Sequence, residues 1–236
     1  MITLAFDSTA KAASVAALRD GRILAQETVD NGLTQSELLL PMAEDMLKSL
    51  RLAYDDIDLL ATAVGPGSFT GVRIGVALIK GLAFGKNIPC ASVSTVEALA
   101  ENLAGLSGIV VPCMDARRGQ VYTALFRSSE EGIVRLTEDM AIPLTELADM
   151  LRGYEGESIY LSGDGYLGAR KALMELGIKT ECTPTLLVNE NAASVAIVAE
   201  RIYSRGEAIS DKEIAPTYLR VPQAERERLE REAAKA

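Results

Sequence analysis

The chain has 236 residues, 48% of them hydrophobic and 24% charged, a composition that folds around a buried core and excludes a disordered polyelectrolyte. Its formal charge of -9 argues against a free-standing nucleic-acid binder, which gains affinity by releasing phosphate counterions from a basic face. Histidine is absent, which excludes Ser-His-Asp triads, H-E-x-x-H zinc sites and His-rich iron sites, and removes the commonest general base near neutral pH.

In chain order, residues 2–6 and 13–18 are short apolar runs separated by Asp7, Ser8, Thr9, Ala10 and Lys11, and Asp20-Gly21 is a hairpin signal. Two antiparallel strands meeting a third at residues 23–29 are predicted. From Ser36 to Leu50 the apolar residues Leu39, Met42, Ala43, Met46, Leu47 and Leu50 recur at helical spacing, with Ser36 as the predicted N-cap. Pro41 has no N–H to reach back to Glu37, so this helix either kinks there or begins there. Residues 59–64 read as a buried strand closed by Gly65-Pro66-Gly67. A helix over 69–85, a strand over 90–93 and a helix over 94–103 follow, the last with Ser94 and Glu97 at capping-box spacing.

At Gly108 the pattern restarts. An apolar strand over 109–114 ends in Asp115, a polar turn over 116–120 follows, and a second strand runs over 121–126, as the opening strand, Asp7 and turn do at the start of the chain. A β-β-β-α-β-α half appearing twice argues for duplication and two similar lobes, although strand, Asp and turn is also a common chance sequence. Helices over 144–151, 167–176 and 192–204 and a strand over 158–161 complete the chain, with a charged, solvated end over 224–236. The predicted division is an N-terminal lobe over 1–105, a C-terminal lobe over 106–210 and a terminal segment over 211–236 that packs back on the first lobe. Cys90, Cys113 and Cys182 form no C-x-x-C pair, so buried reduced thiols are expected. No apolar run approaches the roughly 20 residues of a membrane span, and the first 18 residues lack a basic leader, so a cytoplasmic protein is expected.

The most distinctive segment is Gly65-Pro66-Gly67-Ser68-Phe69-Thr70-Gly71-Val72-Arg73-Ile74-Gly75. A glycine-rich turn opening a helix commonly aims backbone N–H groups at a phosphate, but this spacing matches neither the dinucleotide fingerprint nor a P-loop. The glycines continue as two stripes, Gly71 with Gly75, and Ala77 with Gly81 and Gly85, on a 3.6-residue helix. Each interior glycine costs about 1 kcal/mol against alanine, so they need a packing reason. Either one stripe meets the protein's own sheet and the other a partner, or both are internal. Asp7-Ser8-Thr9 and Asp115-Ala116-Arg117 stand where sugar-kinase and actin-like folds place phosphate and metal turns. Thr9, Ala10 and Lys11 replace the glycines such turns use, so Asp7, Ser8 and Thr9 read as a degenerate nucleotide turn.

Phe6-Asp7-Ser8-Thr9, the block from Gly65 to Gly75, the segment from Met114 to Tyr122 and Pro216-Thr217-Tyr218-Leu219-Arg220 together resemble the TsaB (YeaZ) family over nearly the full chain. The resemblance implies an α/β fold of the actin/sugar-kinase/Hsp70-like (ASKHA) type, each of its two related lobes a mixed sheet flanked by helices. It further implies a non-catalytic partner and activator of its paralogue TsaD in forming threonylcarbamoyladenosine at position 37 of tRNAs that read codons starting with adenine. TsaD does the chemistry on a histidine-bound metal, TsaE supplies ATPase activity, and tRNA is reached only indirectly. No catalytic residue, cofactor or metal site is expected in this chain. Gln35-Ser36 replaces the histidine followed by Ser or Thr that members often carry. The TsaD interface is expected on Leu39, Met42, Ala43, Met46, Leu50, Val72, Gly75, Val76 and Ile79, and a homodimer through the same helices is the other expectation. The competing reading is an ATP-dependent kinase or ATPase acting alone, with Asp7 and Asp115 at its cleft and Gly163-Asp164-Gly165 near the nucleotide.

Overall fold

The structure is a computed structural model and describes residues 1–220; the charged end expected over 224–236 lies outside them. Strands β1 (Ile2–Asp7), β2 (Ala13–Arg19) and β3 (Arg22–Val29) form an antiparallel meander. Helix α1 (Gln35–Leu50) carries the chain over to β4 (Leu59–Gly65), parallel to β1, and α2 (Phe69–Ala83) carries it to β5 (Cys90–Ser94). The five-stranded sheet has the order β3-β2-β1-β4-β5.

Helix α1 begins two residues earlier than a Ser36 cap implies, and Thr34 is its N-cap. The Thr34 N–H donates to Glu37 Oε2 at 2.9 Å, so the carboxylate three residues on closes the first turn. Pro41 stays inside the helix. Its missing donor removes one bond near the N-terminus, which the packing of Leu39, Met42, Ala43, Met46 and Leu47 on the sheet outweighs.

After α3 (Thr95–Glu101), capped as expected by Ser94, the pattern repeats. Strands β6 (Gly108–Pro112), β7 (Met114–Asp115), β8 (Gln120–Thr123), β9 (Phe126–Ser129), β10 (Gly132–Arg135) and β11 (Met140–Pro143) lead to α4 (Leu144–Leu151) and β12 (Ile159–Ser162). The second sheet has the order β10-β9-β6-β12, with β6–β9 and β9–β10 antiparallel and β6–β12 parallel across α4. This reproduces β3-β2-β1-β4 with α1 strand for strand, so the two lobes are related.

Both long strands expected after Gly108 are broken, because the chain changes sheets there. The Cys113 carbonyl accepts from Gly165 N–H at 2.9 Å instead of a ladder partner, and beyond it β7 joins β8 and β11 in a separate three-stranded sheet. The chain returns at Leu125, whose N–H donates to Thr137 Oγ1 at 2.8 Å, before β9 enters the four-stranded sheet.

Helix α5 (Tyr166–Glu175) stays with the second lobe, but α6 (Ala192–Ser204) does not. Expected within the C-terminal lobe over 106–210, α6 packs on β1, β2, β4 and β5 of the first sheet. Its Ala192, Ala193, Val195, Ala196, Val198 and Ala199 cover Ala5, Ala16, Leu18, Leu59, Ala61 and Ala63. Small residues on both surfaces bring helix and sheet close, which an amphipathic pattern alone does not reveal. Helix α3 bridges the lobes, since Val96, Leu99 and Ala100 pack with Val110, Met114 and Phe126. From residue 211 the chain lies on the first lobe, with Ile214 buried and Thr217 N–H donating to the Val64 carbonyl at 2.8 Å, until Arg220 reaches across to the second. Cys90 and Cys113 are buried thiols, whereas Cys182 is exposed because it falls in the irregular segment after α5.

Leu99→Ala, at a fully packed position between the lobes, is expected to cost about 2–5 kcal/mol of unfolding free energy. Leu186→Ala, at a side chain 95% exposed, should shift it by no more than about 0.5 kcal/mol. Urea denaturation followed by circular dichroism measures both.

Candidate functional site

A cleft of about 570 Å³ lies between the lobes. Thr9, Ala10, Lys11 and Gln35 of the first lobe, together with the loop from Pro66 to Thr70, face Met114, Asp115, Ala116, Arg117, Tyr122 and Asp164 of the second, and Thr217 to Arg220 close one side. The two Asp turns are built alike. Asp7 Oδ1 accepts from Thr9 N–H at 2.8 Å, and Asp115 Oδ1 accepts from Arg117 N–H at 2.7 Å, so each carboxylate caps its own turn two residues on. Gln35 donates its amide to the Ala10 carbonyl at 2.8 Å and the Lys11 carbonyl at 3.1 Å.

The first turn is covered by the glycine block. Ser68 N–H donates to the Thr9 carbonyl at 2.7 Å, and Ser8 Oγ donates to the Gly71 carbonyl at 2.8 Å. A Cβ on Gly67 would stand 2.6 Å from the Thr9 carbonyl oxygen, one on Gly71 would overlap the Ser8 carbonyl, and one on Gly75 would stand 2.6 Å from Thr62 Oγ1. These glycines admit the loop onto the turn. Ser68 N–H, Ser8 Oγ and Thr9 N–H are therefore committed within the chain, and Ser8 and Thr9 are buried beneath the loop. Among the described residues no group of three or more His, Cys, Asp or Glu is placed to hold a metal ion.

Beneath the cleft lies a carboxylate that sequence reading passed over. Glu190, only 6% exposed, sits just before α6, and burial, reinforced by the charges of Asp7 and Asp164, pushes its carboxyl up to about 8. Burial also raises Asp7, against the two Thr9 hydrogen bonds that favour its charged form. Asp7 Oδ2 and Glu190 Oε1 are both buried without a hydrogen-bond partner. Nothing in the local sequence marks Glu190, since its burial depends on α6 crossing to the first lobe. Asn102 braces that crossing, donating to the Leu187 and Asn189 carbonyls at 3.2 and 2.8 Å and accepting from Asn191 at 2.8 Å.

The expected partner surface needs correction. Leu39, Met42, Ala43, Met46, Val72, Gly75, Val76 and Ile79 are buried in their own lobe's core, and Leu50 is half-buried at its edge. Helical periodicity finds the apolar stripe, and that stripe faces the sheet. The outward faces carry Leu40, Glu44 and Lys48 on α1, and Arg73, Ala77 and Gly81 on α2, with Phe84 just beyond at 79% exposure. The two glycine stripes thus separate: Gly71 and Gly75 meet the protein's own interior, whereas Gly81 and Gly85 have open space where a Cβ would stand. Between the helices runs a groove of about 570 Å³ whose lining includes Leu40, Leu47, Leu52, Tyr54, Gly81 and Leu82.

Two related lobes around a cleft, each a mixed sheet with helices, place the chain in the actin, sugar-kinase and Hsp70-like class. The family model described as TsaD, tRNA N6-adenosine threonylcarbamoyltransferase, matches residues 34–228. The chain is 31% identical over 225 residues to the tRNA threonylcarbamoyladenosine biosynthesis protein TsaB of Bacillus subtilis (strain 168), covering 95% of this chain and 96% of that one. It is 33% identical over 224 residues to the TsaB of Escherichia coli (strain K12), covering 93% and 95%. YeaZ from Pseudomonas aeruginosa has a similar solved structure, with a TM-score of 0.75 at 26% identity over 92% of this chain and 99% of that one. The chain belongs to the TsaB (YeaZ) family, within the broader family that the TsaD model describes.

An acid whose folded value stands above its unfolded one binds a proton more tightly when folded, so Glu190 erodes stability as pH rises from about 4.5 to about 8. Glu190→Gln removes this contribution. The melting temperature of the variant relative to the unsubstituted protein is expected to be higher at pH 8 than at pH 5, which differential scanning fluorimetry across that range measures.

Proposed function

We propose that this chain acts in tRNA threonylcarbamoyladenosine formation at position 37 as the non-catalytic partner and activator of a TsaD-type paralogue. The observation that carries the reading is the outward face of α1 and α2. Leu40 and Phe84 are exposed there, Ile74, Leu78 and Leu82 are half-buried, and Gly81 leaves room for the close approach of another helix. A face of this kind is costly to leave in water, and a second element laid along the groove removes it from solvent. The names of the relatives support the pathway, and the sealed first turn supports a role without phosphate chemistry.

The paralogue is the occupant argued for, because this chain matches the family model that describes it over residues 34–228, so the two are related. The same face serves a homodimer when the paralogue is absent, and a TsaE-type ATPase joins the paired unit. A cytoplasmic setting follows from the pathway; among the described residues no helix is long and apolar enough to cross a membrane.

Gly81→Trp fills the open space on the groove and is expected to weaken pairing at least about tenfold, equivalent to about 1.4 kcal/mol, with the melting temperature little changed. Gly75→Leu, in contrast, drives a side chain into Thr62 and Ser8 and should unfold the lobe. Size exclusion with light scattering on this chain mixed with the paralogue reads the first, and thermal denaturation reads the second. Undiminished pairing by Gly81→Trp, or turnover of Mg-ATP by this chain alone, overturns the proposal.

A further inference from the structure

We propose that the mouth of the inter-lobe cleft is a docking surface for the phosphodiester backbone of RNA. Lys11, Arg117 and Arg220 line it together with Phe69, Tyr122 and Tyr218. Arg73 joins them from α2. Its guanidinium carbon lies 3.7 Å from the centre of the Phe69 ring and 5.8 Å from that of Tyr218, and its Nε donates to the Tyr218 hydroxyl at 2.8 Å. Stacking and one hydrogen bond hold the guanidinium in a fixed plane, while its two terminal nitrogens bond to no other described residue.

Arg117 and Arg118 form the tip of the β7–β8 hairpin, with φ of +62° and +56°, and both side chains are exposed. Such a turn ordinarily takes Asn or Gly, because bulky L residues avoid this backbone region. Here the shape is imposed from around it. Ala116 N–H donates to the Gln120 carbonyl at 3.1 Å, and the Arg220 guanidinium donates to the Ala116 carbonyl at 2.6 Å.

Among the described residues Lys11, Arg73, Arg117, Arg118 and Arg220 form no ion pair, whereas Arg127, Arg135, Arg152, Arg201 and Arg205 are each paired with a carboxylate. Two acids stand beside these five cations: Asp115, whose Oδ1 accepts from Arg117 N–H, and Asp164, whose Oδ1 accepts from Asp115 N–H at 2.9 Å, so positive charge is in excess there. A chain of net charge -9 therefore carries a local cationic rim interleaved with aromatic faces, the combination that holds a nucleic-acid backbone and stacks unpaired bases. The overall charge argues that this rim adds to an RNA site held mainly by another component.

Fluorescence anisotropy of a labelled tRNA transcript, with this chain mixed with its paralogue and with this chain alone, tests the inference. The variant R117N/R118N suits the left-handed turn, so it keeps the hairpin while removing two cations. It is expected to weaken tRNA binding at least tenfold and to make the dependence of log affinity on log salt shallower by about 2. K171Q/K179Q, at exposed lysines of the second lobe, should change neither. Size exclusion of the R117N/R118N protein with the paralogue should be unaltered, which separates this result from the pairing reading. Full tRNA affinity in R117N/R118N, an equal loss in K171Q/K179Q, or displacement of the tRNA by ATP or by polyglutamate overturns the inference.

Discussion

The seating of the loop from Gly65 to Gly71 on the turn from Asp7 to Thr9 organises much of what surrounds it. It rests on the hydrogen bonds between Ser68 and Thr9 and between Ser8 and Gly71, and on the lack of side chains at Gly67, Gly71 and Gly75. Because the contact is backbone to backbone, a larger residue there must displace main chain. It fixes where α2 starts, brings Phe69 and Arg73 beside Tyr218, and closes the first lobe's side of the cleft. The turn is thus an internal joint of the first lobe.

That joint separates the two sides of α2. One side is immobilised on the sheet through Gly71, Val72, Gly75, Val76 and Ile79, and the other is left to the groove with α1. The groove lies on one side of the first lobe and the cleft, with its rim of charged and aromatic side chains, on another.

Much of this order was legible in the sequence. The strand, Asp and turn opening that recurs at Gly108 corresponds to two sheets with the same strand order, and the paired glycine stripes correspond to an inward and an outward face of one helix. Which stripe faced outward was not legible from periodicity. The apolar residues spaced along α1 and α2 are those that cover the sheet, so helical periodicity points to the core face and not to an exposed one. The breaks at Cys113 and Leu125 were hidden for a related reason, because a strand that passes between sheets keeps its apolar character while changing hydrogen-bond partners. Glu190 was beyond reach, since its burial depends on where the last helix lands and on Asn102, far away in sequence.

Helix α6 bears on how the protein is made. The face of the first sheet formed by Ala5, Ala16, Leu18, Leu59, Ala61 and Ala63 is made early in synthesis, yet its cover, Ala192 to Ala199, leaves the ribosome only after the whole second lobe up to α5. Until then the nascent first lobe presents an open apolar sheet face, the kind of surface that associates with other chains or with chaperones. The contact also joins residues far apart in sequence, which slows folding. Completion of the first lobe therefore waits on α6, and a truncation that spares every cleft residue before α6 would still leave that lobe unfinished.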